Sequence, residues 1–336
     1  MLKRSYFAAA NGYTGFRSYF DNIFNSESFR RIFVLKGGPG TGKSTLMKYV
    51  ANAAISADLD CDRIFCSSDP DSLDGVIIYT PNGKYAVIDG TAPHQRDAAI
   101  PGAIDSIINL GDNFNIPLLE SRRNEILHLC KKKKAAYGEA YSYLHTAGTI
   151  NNKILEVIKK SFNYEKAEHV ASTIRTFTAA NGTTQNVALK RAFCKHGYFT
   201  LDDFIPTDRC FRISGKHGEE KEFLKILMDK SRQGYDYISF DPLCEEAPDL
   251  MIAGDVSYVC TSDSTSEFNA QECLNNSISF EELSKLEEMH DAILDMARKH
   301  FEEAAILHSA LEDIYHNSID FSKNNEITDK IISNIL

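Results

Sequence analysis

The sequence predicts an α/β protein built from two related halves, and three observations carry that prediction. The stretch KGGPGTGKST, Lys36 to Thr45, lies between a short β-rich run and an amphipathic helical one. A second stretch, SGKHGEEKEF, Ser214 to Phe223, has the same outline with several residues changed. Other segments recur in one common order around each stretch, and weak matches that keep their order mark an internal repeat.

The first element is RIFVLK, Arg31 to Lys36, an apolar run of strand length. STLMKYVANAAI follows the glycine loop and reads as a helix, with Leu46, Met47, Val50 and Ala54 on one side. Between them Gly37, Gly38, Pro39, Gly40, Thr41, Gly42, Lys43 and Ser44 satisfy G-x-x-x-x-G-K-[ST] at every fixed position. Strand, loop and helix are the context this motif needs. Glycines let the backbone wrap closely, so that successive N–H groups and the helix N-terminus face a phosphate. Lys43 is expected to reach the β- and γ-phosphates and Ser44 to ligate Mg²⁺, with Gly37 to Thr45 as the nucleotide-binding set. The expected architecture is a P-loop NTPase-type three-layer sheet. The guanine-reading N-K-x-D signature and the LSGGQ signature are both absent, which favours ATP over GTP.

Acidic residues supply candidate chemistry. KYAVIDGTAPH, Lys84 to His94, reads as a strand over Tyr85 to Ile88 with Asp89 at its end. Asp89 could hold a Mg²⁺-bound water, although an Asp-Gly pair also suits a plain turn. Gly90 follows where a water-activating Glu is usual in vigorous ATPases of the AAA and RecA type. After the strand CDRIFC, Asp69, Asp71 and Asp74 emerge near the strand ends that bind ligands in open α/β sheets. Asp69 or Asp74 could orient a water or accept a substrate proton; the same residues also serve ordinary loops. His94 is a further site candidate.

The second copy looks damaged. Laid under the first, it pairs Gly37 with Gly215, Gly40 with Gly218 and Lys43 with Lys221, but Gly42 meets Glu220 and Ser44 meets Glu222. Carboxylates there would repel a triphosphate. NGYTGFRSYF is matched with HGYFTLDDF, FCSSDP with ISFDP, and YAVIDGT with YVCTSDS, so that Asp89 falls opposite Thr or Ser. The expected domains are residues 1–183, which bind nucleotide, and 184–336, a degenerate half, joined near Asn181 to Gln185.

Each half is expected to end in a projecting helical hairpin. Ile126, Cys130, Tyr137, Tyr141 and Leu144 recur at helical spacing, as do Leu286, Met289, Ile293 and Met296. Ser279 and Glu282 form a capping box, and amphipathic helices are expected at about Ile150 to Ala180 and Ile327 to Leu336. Lys131 to Lys134 reads as a solvated helix face, with an acidic or phosphate-bearing partner as the alternative.

Composition bounds the function classes. The 336 residues are 43% hydrophobic and 25% charged, ordinary for a globular protein. No apolar run approaches the roughly 20 residues of a membrane span. A formal net charge of -10 disfavours wholesale nucleic-acid binding while leaving a local basic groove open. Eight scattered cysteines without a C-x-x-C pair suit reduced thiols. A start interrupted by Asn11, Gly12, Tyr13 and Thr14 is not a signal peptide, so the expected location is cytoplasmic.

GGPGTGKST, DPDSLDGVII, AVIDGTAPH and IPGAIDSIINLGD, followed by a degenerate second half, resemble a family of poorly characterised bacterial tandem P-loop ATP-binding proteins. The resemblance spans nearly the whole chain and is most specific between Phe7 and Gly111. It implies two P-loop-type halves, ATP binding at Gly37 to Ser44, and Asp69, Asp74, Asp89 and His94 as site candidates. The second loop departs from the family pattern at Gly215 to Glu222.

The leading functional expectation is an Mg²⁺-dependent ATPase with Lys43, Asp69, Asp74 and Asp89 as catalytic candidates. Arg191, Arg209, Arg212 or Arg232 would supply a cation from the second half. Alternatives are a kinase with Asp69 or Asp74 as general base and Thr91 to Gly102 as a lid, and a non-catalytic ATP-switched adaptor whose partner docks on the helical hairpins.

Overall fold

A computed structural model describes residues 3–174, 186–201, 203–230, 234–263, 265–275 and 278–336. The expected linker at Asn181 to Gln185, and Arg232, lie outside the described residues. The chain is an α/β protein with two mixed six-stranded sheets.

The first half runs β1 (Lys3–Phe7), β2 (Ala9–Gly12), β3 (Gly15–Ser18), α1 (Phe20–Ile23), β4 (Arg31–Lys36) and α2 (Lys43–Ser56). It continues with β5 (Asp60–Phe65), β6 (Leu73–Thr80), β7 (Gly83–Asp89), β8 (Asp105–Asn109), α3 (Ile116–Ser121), α4 (Arg123–Ser161) and α5 (Tyr164–Thr173). The second half runs β9 (Asn186–Val187), β10 (Arg191–Cys194), β11 (Gly197–Thr200), β12 (Arg209–Ser214) and α6 (Glu219–Lys230). After these come β13 (Tyr237–Asp241), β14 (Cys244–Ala253), β15 (Val256–Thr261), β16 (Phe268–Asn269), α7 (Phe280–His316) and α8 (Phe321–Ile335).

The sheets repeat each other strand for strand. Their orders are β1-β5-β6-β7-β4-β8 and β9-β13-β14-β15-β12-β16. In both, the first pair is parallel, the middle meander antiparallel and the last two pairs parallel. Buried runs such as Ile32–Leu35 and Val76–Ile78 explain why these strands are continuously apolar: helices or the other half cover both faces. Phe7 and Leu189 pair with each other, exchanging N–H···O bonds of 2.9 and 3.0 Å. They fall at matching places in the two halves, so a pseudo-two-fold axis passes between them.

Ladder register corrects two sequence matches. Asp89 pairs with Leu35, and Cys260 pairs with Ile213, at the same step before each loop. The counterpart of Asp89 is therefore Cys260, not the Thr or Ser expected from matching Tyr85 with Tyr258. Gly15 and Gly197 close the two hairpins, so Gly12 matches Cys194 rather than Gly197. Turn geometry, which a short identity such as Asn-Gly-Tyr against His-Gly-Tyr does not encode, sets these registers.

The helices do not form one projecting hairpin per half. The 39-residue α4 and the 37-residue α7 lie antiparallel against each other and exchange halves. Their contact face is Ala140, Leu144 and Ala147 against Leu294, Ala297 and Phe301. Alanines at these positions let the two backbones approach closely. Met289 and Met296, expected on the buried face, are 56% and 37% exposed, and Cys130 is also exposed. Helical spacing alone does not choose between adjacent stripes of one helix.

Beyond this pair, each terminal helix packs on the opposite half. Ala167 and Ala171 of α5 join the core of Phe223, Leu224 and Leu227. Ile331 and Ile335 of α8 join Leu46, Met47 and Val50 of α2. Reciprocal main-chain bonds mark both crossings: Asn115 donates to Ser318 O at 2.7 Å and Asn275 to Ser161 O at 2.8 Å. The helix expected from about Ile150 is continuous with α4, breaks at Phe162, and restarts at α5 under an Asn163 cap. The Ser279 cap of α7 is present, with its hydroxyl accepting from the Glu282 amide at 3.3 Å. No helix among the described residues is long and apolar enough to cross a membrane.

Candidate functional site

The glycine loop leaves β4 between β7 and the edge strand β8, the three-strand parallel part of the first sheet, and ends at the first turn of α2. Gly42 caps that helix at φ +81°, a left-handed conformation that a side chain would strain. Gly40 is also left-handed, and a methyl group there would lie 2.4 Å from the carbonyl oxygen of Glu312 in α7. The loop is thus shaped by its own sequence and overlaid on one side by the end of α7.

Lys43 curls over the loop. Its ammonium donates to the Gly37 and Gly38 carbonyls at 3.1 and 2.9 Å and lies 3.7 Å from Asp89 Oδ2. The other carboxylate oxygen of Asp89 accepts from the Thr91 amide and hydroxyl at 2.8 and 2.6 Å, which aims Oδ2 at Lys43. Ser44 Oγ accepts from the Leu73 amide at 2.9 Å. Ser44 and Asp89 are oxygen donors of the type Mg²⁺ takes together with phosphate oxygens and waters. Among the described residues no group of three His, Cys, Asp or Glu side chains gathers as a metal site.

The other predicted acids are placed differently. Asp69 accepts from Lys195 at 2.7 Å and from Ser72 at 2.7 Å. Burial pushes its pKa up, but these hydrogen bonds outweigh it and hold the carboxyl below its ordinary value. Asp74 is buried with His94, Oδ2 to Nε2 at 2.9 Å, and His94 stacks on Phe20 at 4.5 Å. The segment proposed as a lid is tied down, because Lys36 donates to the Gly90 and Arg96 carbonyls at 2.8 and 2.6 Å.

None of the described arginine candidates is offered to the loop. Arg191 binds Asp241 and Asp249 at 3.3 and 3.1 Å, Arg209 binds Asp255 at 2.8 Å, and Arg212 binds Glu267 at 3.2 Å. The second half instead sends Lys195, from the β10–β11 turn, to Asp69.

Sequence reasoning missed three more residues beside the loop. Lys133 Nζ lies 3.2 Å from His308 Nδ1, and His308 Nε2 lies 3.7 Å from Glu312. Burial, then Lys133 and Lys43, lower the His308 pKa from its ordinary 6.5 to about 4, so the imidazole is neutral. Burial and Asp69 raise the pKa of Glu312, against the pull of the Gly40 amide and Lys43. Of the four-lysine run, one member faces inward; the spacing of four consecutive lysines does not say which. His308 and Glu312 carry no sequence signal beyond being one helical turn apart.

The second loop is filled by its own carboxylates. Glu219 accepts from the Lys216 and His217 amides, both at 2.9 Å, and Glu220 accepts from the Gly218 amide at 3.1 Å. His217 is hydrogen-bonded to Glu287. Lys221, the counterpart of Lys43, is bound to Asp241, which holds its pKa above the ordinary range despite burial. Burial pushes the Cys260 thiol up, so the position of Asp89 carries no charge here.

Comparison of the chain with protein-family models, curated proteins and solved structures finds no match.

Proposed function

We propose that the chain is an ATP-binding protein that holds Mg²⁺-ATP in its first half and hydrolyses it slowly. It is read as a tandem P-loop protein of the kind its sequence resembles. The observation carrying this reading is the loop between β4 and α2, with Lys43 above its carbonyls and Asp89 Oδ2 at 3.7 Å. The loop amides and Lys43 would stabilise charge on the transferring phosphoryl group. Ser44 and Asp89 would hold the metal, which supplies further neutralisation when bound.

Slow turnover follows from Gly90. A methyl group there would lie 2.4 Å from Val34 Cγ1, so this position has no room for a water-activating carboxylate. Asp69, held ionised by Lys195, is a weak base and acts as an electrostatic anchor. The second half, with its loop amides already satisfied, serves as a structural and regulatory partner.

Calorimetric titration with Mg²⁺-ATP and a phosphate-release assay test the reading. Wild type should bind and release phosphate slowly, and Lys43→Ala should lose at least about 100-fold in affinity, the scale of a lost charge-assisted contact set. Wild type that ignores adenine nucleotides would sink the proposal. The crowding at Gly90 equally favours a second reading, transfer of the γ-phosphoryl group to a substrate. ADP production that depends on an added acceptor would select it.

A further inference from the structure

We infer that Lys133, Lys195 and His308 form the subsite for the terminal phosphate, so that both halves of the chain and the shared helix pair read the difference between a nucleoside triphosphate and a diphosphate. The inference rests on the proposed nucleotide site and deepens it.

The geometry connects the three residues to the loop. Glu312 main chain covers Gly40, and its carboxylate lies 3.7 Å from His308 Nε2. One turn back on α7, His308 faces Lys133 of α4 at 3.2 Å. Lys195 enters from the second half and meets Asp69 at 2.7 Å. Lys133 is in direct contact with His308, and Lys43, Asp69 and Lys195 act on it electrostatically at longer range.

Lys133 is the unusual member. It is partly buried, and among the described residues it forms no direct ion pair: its nearest partner is the neutral ring of His308, with Glu312 acting on it at longer range from the other side of that ring. A partly buried ammonium with no carboxylate in direct contact gains when an anion joins it. A terminal phosphate brings oxygens that two ammonium groups and an imidazole N–H can donate to. Asp69 and Glu312 keep the cations in place and would yield them to the phosphate.

The counterpart position in the second half supports the assignment. Gly218 is covered by Leu155, just as Gly40 is covered by Glu312, so the blocked loop faces an aliphatic side chain. Polar residues gather over the loop whose amides are not filled by its own carboxylates.

The test compares Mg²⁺-ATP and Mg²⁺-ADP affinities for the full chain, measured by calorimetry. Lys133→Met and Lys195→Met should each weaken ATP binding about tenfold, and the double variant more, while ADP affinity changes less than about threefold. Lys133→Arg and Lys195→Arg should retain the preference for ATP, and unchanged ADP binding shows that each variant is folded. ATP and ADP weakening in parallel, or ATP binding unaffected, would overturn the subsite while leaving the nucleotide site standing. Wild type that binds neither nucleotide would overturn both.

Discussion

Glu219 is fully buried at the start of α6, and its carboxylate accepts from two loop amides at 2.9 Å each. A helix N-terminus offers its free amides to an anion, and here the chain supplies that anion itself. Glu219→Ala would leave the buried His217 amide and the half-buried Lys216 amide without this partner, a loss of about 2 kcal/mol in urea unfolding. An unchanged midpoint would show that those amides find other acceptors. His308 makes a pH prediction. Its folded pKa, about 4, lies below the ordinary 6.5, so the unfolded chain binds the extra proton between those values. Stability from this group is full above pH 6.5 and is lost as pH falls towards 4. The side chain is 41% exposed, so solvent screening reduces the effect to about 1 kcal/mol. Glu312, with a raised pKa, slopes the other way. The measurement is therefore the difference between wild type and His308→Gln in melting temperature against pH; parallel curves would refute the prediction.

Two elements, α7 and α8, tie the loop to the far end of the sequence. Asn324 of α8 donates to Thr41 O at 2.9 Å and accepts from Asn113 at 2.7 Å. Asn324→Leu keeps the volume but leaves the Thr41 carbonyl and the Asn113 amide unpaired, a cost of about 2 kcal/mol with weaker nucleotide binding. A variant with wild-type stability and affinity would mean that α8 merely lies alongside the loop. The sequence marked these elements unevenly. β4, the glycine loop and α2 are local, so strand propensity, φ-permissive glycines and a 3.6-residue stripe reveal them together. The buried face of the long helices was not legible, because Met289 and Ala297 are equally compatible with a helix and only the approach of α4 selects the alanine. Lys133, Lys195, His308 and Glu312 come from distant parts of the chain and acquire a common role only through packing.

The whole molecule is held together by exchange. α4 leaves the first half to finish in the core of the second; in reverse, the end of α7 lies over the first loop and α8 finishes in the core of the first half. Neither half can lose its sheet packing without releasing a helix from the other, so calorimetry should show one unfolding transition. Ala297→Asp, which places a charge at a fully buried contact of α4 and α7, should destabilise both halves together by more than about 3 kcal/mol and lower their common melting temperature. Two resolved transitions, one of them unshifted, would argue for independent halves.

The amino-acid sequence by itself determined the phosphate-loop motif, its flanking strand and helix, the strand-end Asp89, the faulty second loop and the existence of a repeat. Each of these is a short-range pattern, set by spacing along the chain. Only the tertiary structure decided the register of the repeat, the exchange of helices, the pairing of Asp74 with His94 and the gathering of lysines beside the loop. Those features depend on which distant surfaces pack together, and packing depends on shape and buried area that no single stretch of residues specifies.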